Sequence, residues 1–202
     1  KEMYVPFQAD AVRLALLARY GGLWIDPATI CLRPFDWWLY DTIRDESKVA
    51  NIGAFYFSAW GVDMGWSAEY VENWLLAARR GHPLLLRWKE LFCNFWDSVA
   101  LGTLDPLCLP EHPLFKDVDL SHLQRFGHDM RGYLVMHSSF KKMIDEDLHM
   151  HKIWREEMLL YRADDHGLWH LDEPDVAWSV PAALEKWLGR GDGEWVDHVL
   201  QK

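Results

Sequence analysis

Asp26 closes the run GGLWIDP, where it follows three apolar residues and precedes Pro27. A proline cannot continue a central ladder, so the chain turns there and leaves the carboxylate at the mouth of a strand. In open α/β sheets ligands gather at the carboxyl ends of strands, because loops and helix N-termini line the crevice there. Asp26 is therefore a candidate ligand contact; the alternative is a turn aspartate that accepts hydrogen bonds from its own amides. Upstream, Asp10 and Arg13 are spaced i, i+3 and share a helix face. On an otherwise apolar helix such a pair either closes on itself or borders a polar cavity. That helix runs straight into Gly21, Gly22 and the strand, so all three charged groups are able to converge.

The elements that position these groups follow from the pattern. ADAVRLALLARY, residues 9–20, is rich in helix formers and predicts a mostly buried helix, which Gly21 and Gly22 end through their permissive backbone. Leu23–Ile25 is expected to be a short central strand, Thr29–Leu32 a second one, and residues 51–60 another. Glu69–Arg80 shows helical spacing up to Gly81, and Pro83 opens a further helix to about Ala100. The prolines between Gly102 and Pro113 mark a loop. Tyr133–His137 reads as a strand ending on His137, with a polar helix from there to Tyr161. Helix, strand, loop, strand, helix is an α/β order, which implies a mixed sheet covered by helices.

Composition narrows the partners. Half of the 202 residues are apolar, enough for a sizeable core, while a net charge of −10 opposes a nucleic-acid or anionic-membrane footprint. No apolar run reaches the roughly 18 residues of a membrane span, and KEMYVPFQAD does not read as a signal peptide. Cys31, Cys93 and Cys108 form no CxxC pair and no disulfide framework. Thirteen tryptophans suit a core, a carbohydrate-stacking surface or a docking face equally well.

QADAVRLALLARYGGLWIDPATICLRPFD resembles the core segment of sugar transferases of the DXD type, closest to the capsular polysaccharide synthesis protein family. Asp10, Arg13, Leu17, Tyr20, Gly21, Gly22, Trp24, Ile25, Asp26 and Pro34 carry the match. ENWLLAARRGHPLLLRW is similar to a second family block, a helix, through Asn73, Ala77, Gly81, His82 and Pro83. GYLVMH resembles a third, a strand, through Tyr133 and His137. The resemblance implies residues 1–165 as the catalytic region of a GT-A-like α/β fold, with 166–202 a Trp-rich extension. It implies transfer of a hexose from a nucleotide-diphospho-sugar to a glycan acceptor, with Mn²⁺ or Mg²⁺ stabilising the departing diphosphate.

On that resemblance Asp26, Asn73 and His137 are the catalytic candidates, and Asp26 and His137 the metal contacts. Asp10, Arg13, Gly21, Gly22 and Trp24 border the nucleotide-sugar. Pro27 and Ala28 follow Asp26, so the second carboxylate of a full DXD motif is missing. The chain begins almost at the Asp10 helix, so the expectation is the C-terminal part of a GT-A fold whose N-terminal nucleotide-binding segment is absent. The rival expectation is an inactive transferase-like subunit that joins an assembly through a Trp-rich surface. Compartment stays open, the Golgi or ER lumen in a eukaryote and the cytoplasm in a bacterium.

Other motifs carry less. His149 and His151 are i, i+2 and share no helix face, and the cluster from Asp164 to His170 reads as solvated. Ser138 and Ser139 lack a GxSxG elbow, and Cys31 lies in an apolar run.

Overall fold

A computed structural model describes residues 5–27, 29, 43, 52–56, 71–98, 112–120 and 133–162. Helix α1 (Val5–Tyr20) leads into strand β1 (Gly22–Ile25), followed by β2 (Ile52–Tyr56) and β3 (Leu75–Ala78). Helices α2 (Pro83–Ser98), α3 (Val135–Glu146) and α4 (Leu148–Glu156) precede β4 (Met158–Arg162). The strands order as β1-β3-β2-β4. β3 is antiparallel to β1 and to β2, while β4 is parallel to β2. Three strands therefore run one way and β3 alone runs the other. The fold is mixed α/β, a four-stranded mixed sheet flanked by helices.

Period-two alternation sorts the strand side chains onto two faces. Trp24, Ile52, Ala54, Leu76, Ala78, Met158 and Leu160 join the larger core with α1 to α4. Leu23, Phe55, Leu75, Ala77, Leu159 and Tyr161 meet Ile43 and Trp74 on the other face. There Phe55 and Trp74 stack with centroids 5.0 Å apart. In the larger core Trp88 of α2 packs edge-on against Phe140 of α3 at 4.8 Å, and its Nε1 donates to the Met136 carbonyl at 2.8 Å.

Several elements differ from the sequence expectation. Helix α1 begins at Val5 rather than Ala9, with Pro6 in its first turn, where a missing N–H costs nothing. It buries Phe7, Leu14 and Leu17 but leaves Val12, Leu16 and Tyr20 exposed, so its apolar composition does not make it a buried helix. β1 lies at the edge of the described sheet, not its centre.

The segment expected as a helix over Glu69–Arg80 contains strand β3. Leu75–Ala78 is buried on both faces and bonded to a strand on each side, and those pairings outweigh the helix propensity of LLAA. Tyr133–His137 is not a strand: Val135 opens α3, and Phe140, Met143 and Ile144 continue its buried face at helical spacing. The long helix expected through Tyr161 breaks at Asp147, whose side chain accepts from the His149 and Met150 amides, and it gives way to β4.

Ser138 and Ser139 bond back to the carbonyls of Leu134 and Val135, at 2.9 and 2.8 Å, as helix serines do. Of the tryptophans described, Trp24, Trp74 and Trp96 are half-buried, and Trp88 and Trp154 buried, so none of them forms an exposed docking face. The strand expected at Thr29–Leu32 beyond Thr29, the part of 51–60 after Tyr56, Cys31, Cys108 and the extension 166–202 lie outside the described residues.

Two turns lock α1 to the sheet. The Gly21 amide donates to Leu17 O at 2.8 Å, and the Gly81 amide donates to Ala18 O at 3.0 Å. Both glycines have positive φ, +68° and +70°. A Cβ on Gly21 would lie 2.9 Å from the Ala78 carbonyl and collide with the Arg80 amide, whereas one on Gly22 would meet nothing. His82, just before α2, is buried, and neither ring nitrogen has a partner among the described residues. Burial, with the Arg79 charge adding to it, lowers its pKa from 6.5 to about 4.

Two stability measurements follow. By urea titration Gly22→Ala costs about 1–2 kcal/mol of backbone strain, and Gly21→Ala at least about 1 kcal/mol more. The unfolded chain protonates His82 near pH 6.5 and the folded chain only near pH 4. Stability therefore falls as pH drops through that window, by about 3 kcal/mol in all. His82→Leu flattens that part of the pH–stability curve.

Candidate active site

β1, β2 and β4 all end on one side of the sheet, and β3 begins there. The Asp26 amide donates to Trp74 O at 2.8 Å and the Glu72 amide to Phe55 O at 2.8 Å. The approach to β3 is thereby pinned between the ends of β1 and β2, with Glu72, Asn73 and Trp74 side by side at the mouth. The Thr29 amide closes a turn onto the Asp26 carbonyl at 2.9 Å, so the strand stops where Pro27 requires.

Arg13 organises the charges. Its Nη1 donates to Asp10 Oδ1, one helical turn earlier, and its Nη2 donates to Asp26 Oδ1 at 2.8 Å. The guanidinium also lies 5.1 Å from the centre of the Trp24 ring, a cation–π distance. Trp24 Nε1 donates to the same Asp26 oxygen at 2.6 Å, and Asn73 Nδ2 reaches Asp10 Oδ1 at 3.0 Å. Arg13 and Asn73 both touch Met136 Sδ, at 3.5 and 3.4 Å.

Arg13 is buried, and the Asp26 side chain is 31% exposed. Burial raises the Asp10 carboxyl above its ordinary range; Arg13 and His137 pull it back without cancelling the effect. His137, in the first turn of α3, places Nε2 3.9 Å from Glu72 Oε2.

The structure thus gathers Asp10, Arg13, Trp24, Asp26, Asn73 and His137 at one mouth. Gly22 stands at the other end of β1, about 13 Å from Asp26 at the rise of a strand, and Gly21, one residue before it, lies against the turn after β3. Sequence reasoning missed Glu72 and Met136. Glu72 directly precedes the Asn73 of the ENW run, and Met136 directly precedes His137, so adjacency to a marked residue was the available signal.

The donor set suits a hard cation bound by few protein groups. Both donors to Asp26 reach Oδ1, and Oδ2 accepts nothing from the described residues. Asp10, Asp26 and Glu72 outnumber the guanidinium of Arg13. Among the described residues no three His, Cys, Asp or Glu side chains form a metal cage. Mg²⁺-like ions are commonly held by one or two carboxylates, with substrate phosphates and water completing the shell.

The model of the capsular polysaccharide synthesis protein family matches residues 2–100, which hold α1, β1 to β3 and α2. Residues 2–100 belong to that family. The O-glycosyltransferase braB of Annulohypoxylon truncatum is 31% identical over 111 residues, 55% of this chain and 24% of that protein. Glycosyltransferase afumC of Aspergillus fumigatus is 31% identical over 115 residues, 57% of this chain and 26% of its own. The O-glycosyltransferase PaGT of Phomopsis amygdali is 34% identical over 129 residues, 63% and 28% of the two chains.

The chain therefore spans about a quarter of the length of these curated relatives. It is a glycosyltransferase-family protein. No solved structure matches it. Asp10, Arg13, Trp24, Asp26 and Asn73 all lie within the family segment, whereas His137 comes to the mouth from outside it.

Breaking the bridge exposes its energetics. Arg13→Ala strands a buried carboxylate and costs about 3–5 kcal/mol in urea denaturation. Adding Asp10→Asn removes that charge and recovers part of the loss, a coupling that two independent contacts would not give.

Proposed function

We propose that this chain takes part in transferring a hexose from a nucleotide-diphospho-sugar to a hydroxyl of a glycan or other acceptor, with the diphosphate bound at the Asp26 mouth. The observation that carries this reading is the fixed carboxylate of Asp26. Arg13 and Trp24 hold one oxygen, the other accepts nothing among the described residues, and the group stands at the carboxyl ends of three parallel strands. The names of the relatives braB and PaGT, O-glycosyltransferases, favour an acceptor oxygen.

Departure of the nucleoside diphosphate places charge on its phosphate oxygens. A Mn²⁺ or Mg²⁺ ion held by Asp26 would supply Lewis-acid stabilisation of that charge. The chain's own part is positional. Asp10 and Asn73 hold Arg13, and Arg13 and Trp24 hold Asp26 in one rotamer, so a ligand meets a carboxylate already oriented. Without a cation the carboxylate excess at the mouth repels a diphosphate, which makes nucleotide and metal binding mutually dependent.

Calorimetry with UDP tests this, in the presence and absence of Mn²⁺. UDP binds with the ion and at least tenfold more weakly without it, and Asp26→Asn loses the ion's effect, whereas Asp97→Asn, on α2, keeps it. Equal UDP affinity in Asp26→Asn and the parent protein removes the proposal.

A further inference from the structure

Three carboxylates stand at the mouth, and their hydrogen bonding differs. Asp10 Oδ1 accepts from Arg13 and Asn73, and Asp26 Oδ1 accepts from Arg13 and Trp24. Glu72 accepts no hydrogen bond from the described residues. Among the described residues it faces His137 Nε2 at 3.9 Å, which is beyond hydrogen-bond reach. The Glu72 side chain is only 13% exposed, and that of His137 7%. Bulk water reaches such a carboxylate poorly, yet an ionised carboxylate offers about four acceptor sites. Leaving them empty in a half-dry setting is costly, so the geometry favours a ligand that brings donors.

Resting on the transferase reading above, we propose that Glu72 is the sugar-hydroxyl ligand of this site, its two oxygens accepting neighbouring hydroxyls of the bound hexose. The chemistry selects that partner. A carboxylate repels phosphate oxygens but accepts from two O–H groups at once, and a hexose ring presents adjacent hydroxyls where a diphosphate presents only acceptors. Position agrees: Glu72 and Asp26 are both tied by backbone bonds to the same mouth, through Phe55 O and Trp74 O. The diphosphate and the sugar thus meet different carboxylates. His137, in the first turn of α3, faces the Glu72 carboxylate without bonding it.

Calorimetry of the full chain with Mn²⁺ separates the two readings. UDP is compared with UDP-glucose, UDP-galactose and UDP-N-acetylglucosamine, and GDP with GDP-mannose. At least one nucleotide-sugar binds about tenfold or more tightly than its bare nucleotide, the size of charged hydrogen bonds. Glu72→Gln loses that excess and keeps nucleotide affinity within about twofold, which also shows that the variant is folded. Glu72→Asp, with the charge kept but the reach shortened, retains part of it.

A sugar excess that survives in Glu72→Gln overturns the assignment, as does nucleotide binding to which no sugar adds affinity. Loss of nucleotide affinity in Glu72→Gln beside a normal circular dichroism spectrum also overturns it, by placing Glu72 on the diphosphate. Failure of the parent chain to bind either nucleotide removes the transferase reading itself and this assignment with it.

Discussion

A buried guanidinium held between two carboxylates from different elements is the constraint on which the mouth of this sheet depends. Arg13 comes from α1 and Asp26 from the end of β1, and only a planar fork with separate donors bonds both while lying over the Trp24 ring. A lysine ammonium, a compact point charge, could bridge the two acids but could not also lie flat over the ring. Because Arg13 is buried, its desolvation is offset only when both acceptors and the ring are in place. The register between α1 and β1 is therefore coupled to the rotamer of Asp26, and the glycine turn that joins them cannot drift without breaking the bridge.

That coupling explains why the single antiparallel strand matters. If β3 ran with its neighbours, its carboxyl end would face Asp26, and Glu72 and Asn73, which precede it, would lie at the far side of the sheet. Reversal brings the beginning of β3 to the place where β1 and β2 finish. Asn73 then completes Asp10, and Glu72 reaches His137 of α3. The mouth is thus assembled from two kinds of strand end, one delivering an oriented carboxylate and the other an acceptor without donors among the described residues. Met136 fills the gap between them, its sulfur against both Arg13 and Asn73.

The parts legible in the sequence were those fixed by local chemistry. Pro27 after Asp26 forced the turn, the i, i+3 spacing of Asp10 and Arg13 put both on one face, and Gly21 required a backbone only glycine adopts easily. What failed was decided by distant partners. LLAA at 75–78 is good helix sequence and becomes a strand because β1 and β2 supply ladder bonds on both sides. YLVMH looks like a strand because five residues are too few to show a period; the buried positions that make it a helix, Phe140 and Met143, come later. Glu72 carried no mark of its own, since a glutamate before an apolar run is usually a solvated residue.

Under the proposed function, the same distinction bears on how Asp26 would serve alone where a paired motif would place two acids. Ala28 contributes no carboxylate, but a second acid is needed only if the first is free to rotate or if the ion must be caged by protein. Here one Asp26 oxygen is fixed by two N–H donors, so the group offers a single direction for binding instead of a swept cone. Orientation of one carboxylate replaces part of what a second would add, because the entropy of ordering it is lost on folding and not on binding. Asp10 is the poorer candidate for a second ligand: like Asp26 it has Oδ1 taken by two donors, but it is buried where Asp26 is half-exposed, and burial disfavours its charge. It acts through Arg13, setting the position of the Asp26 carboxylate.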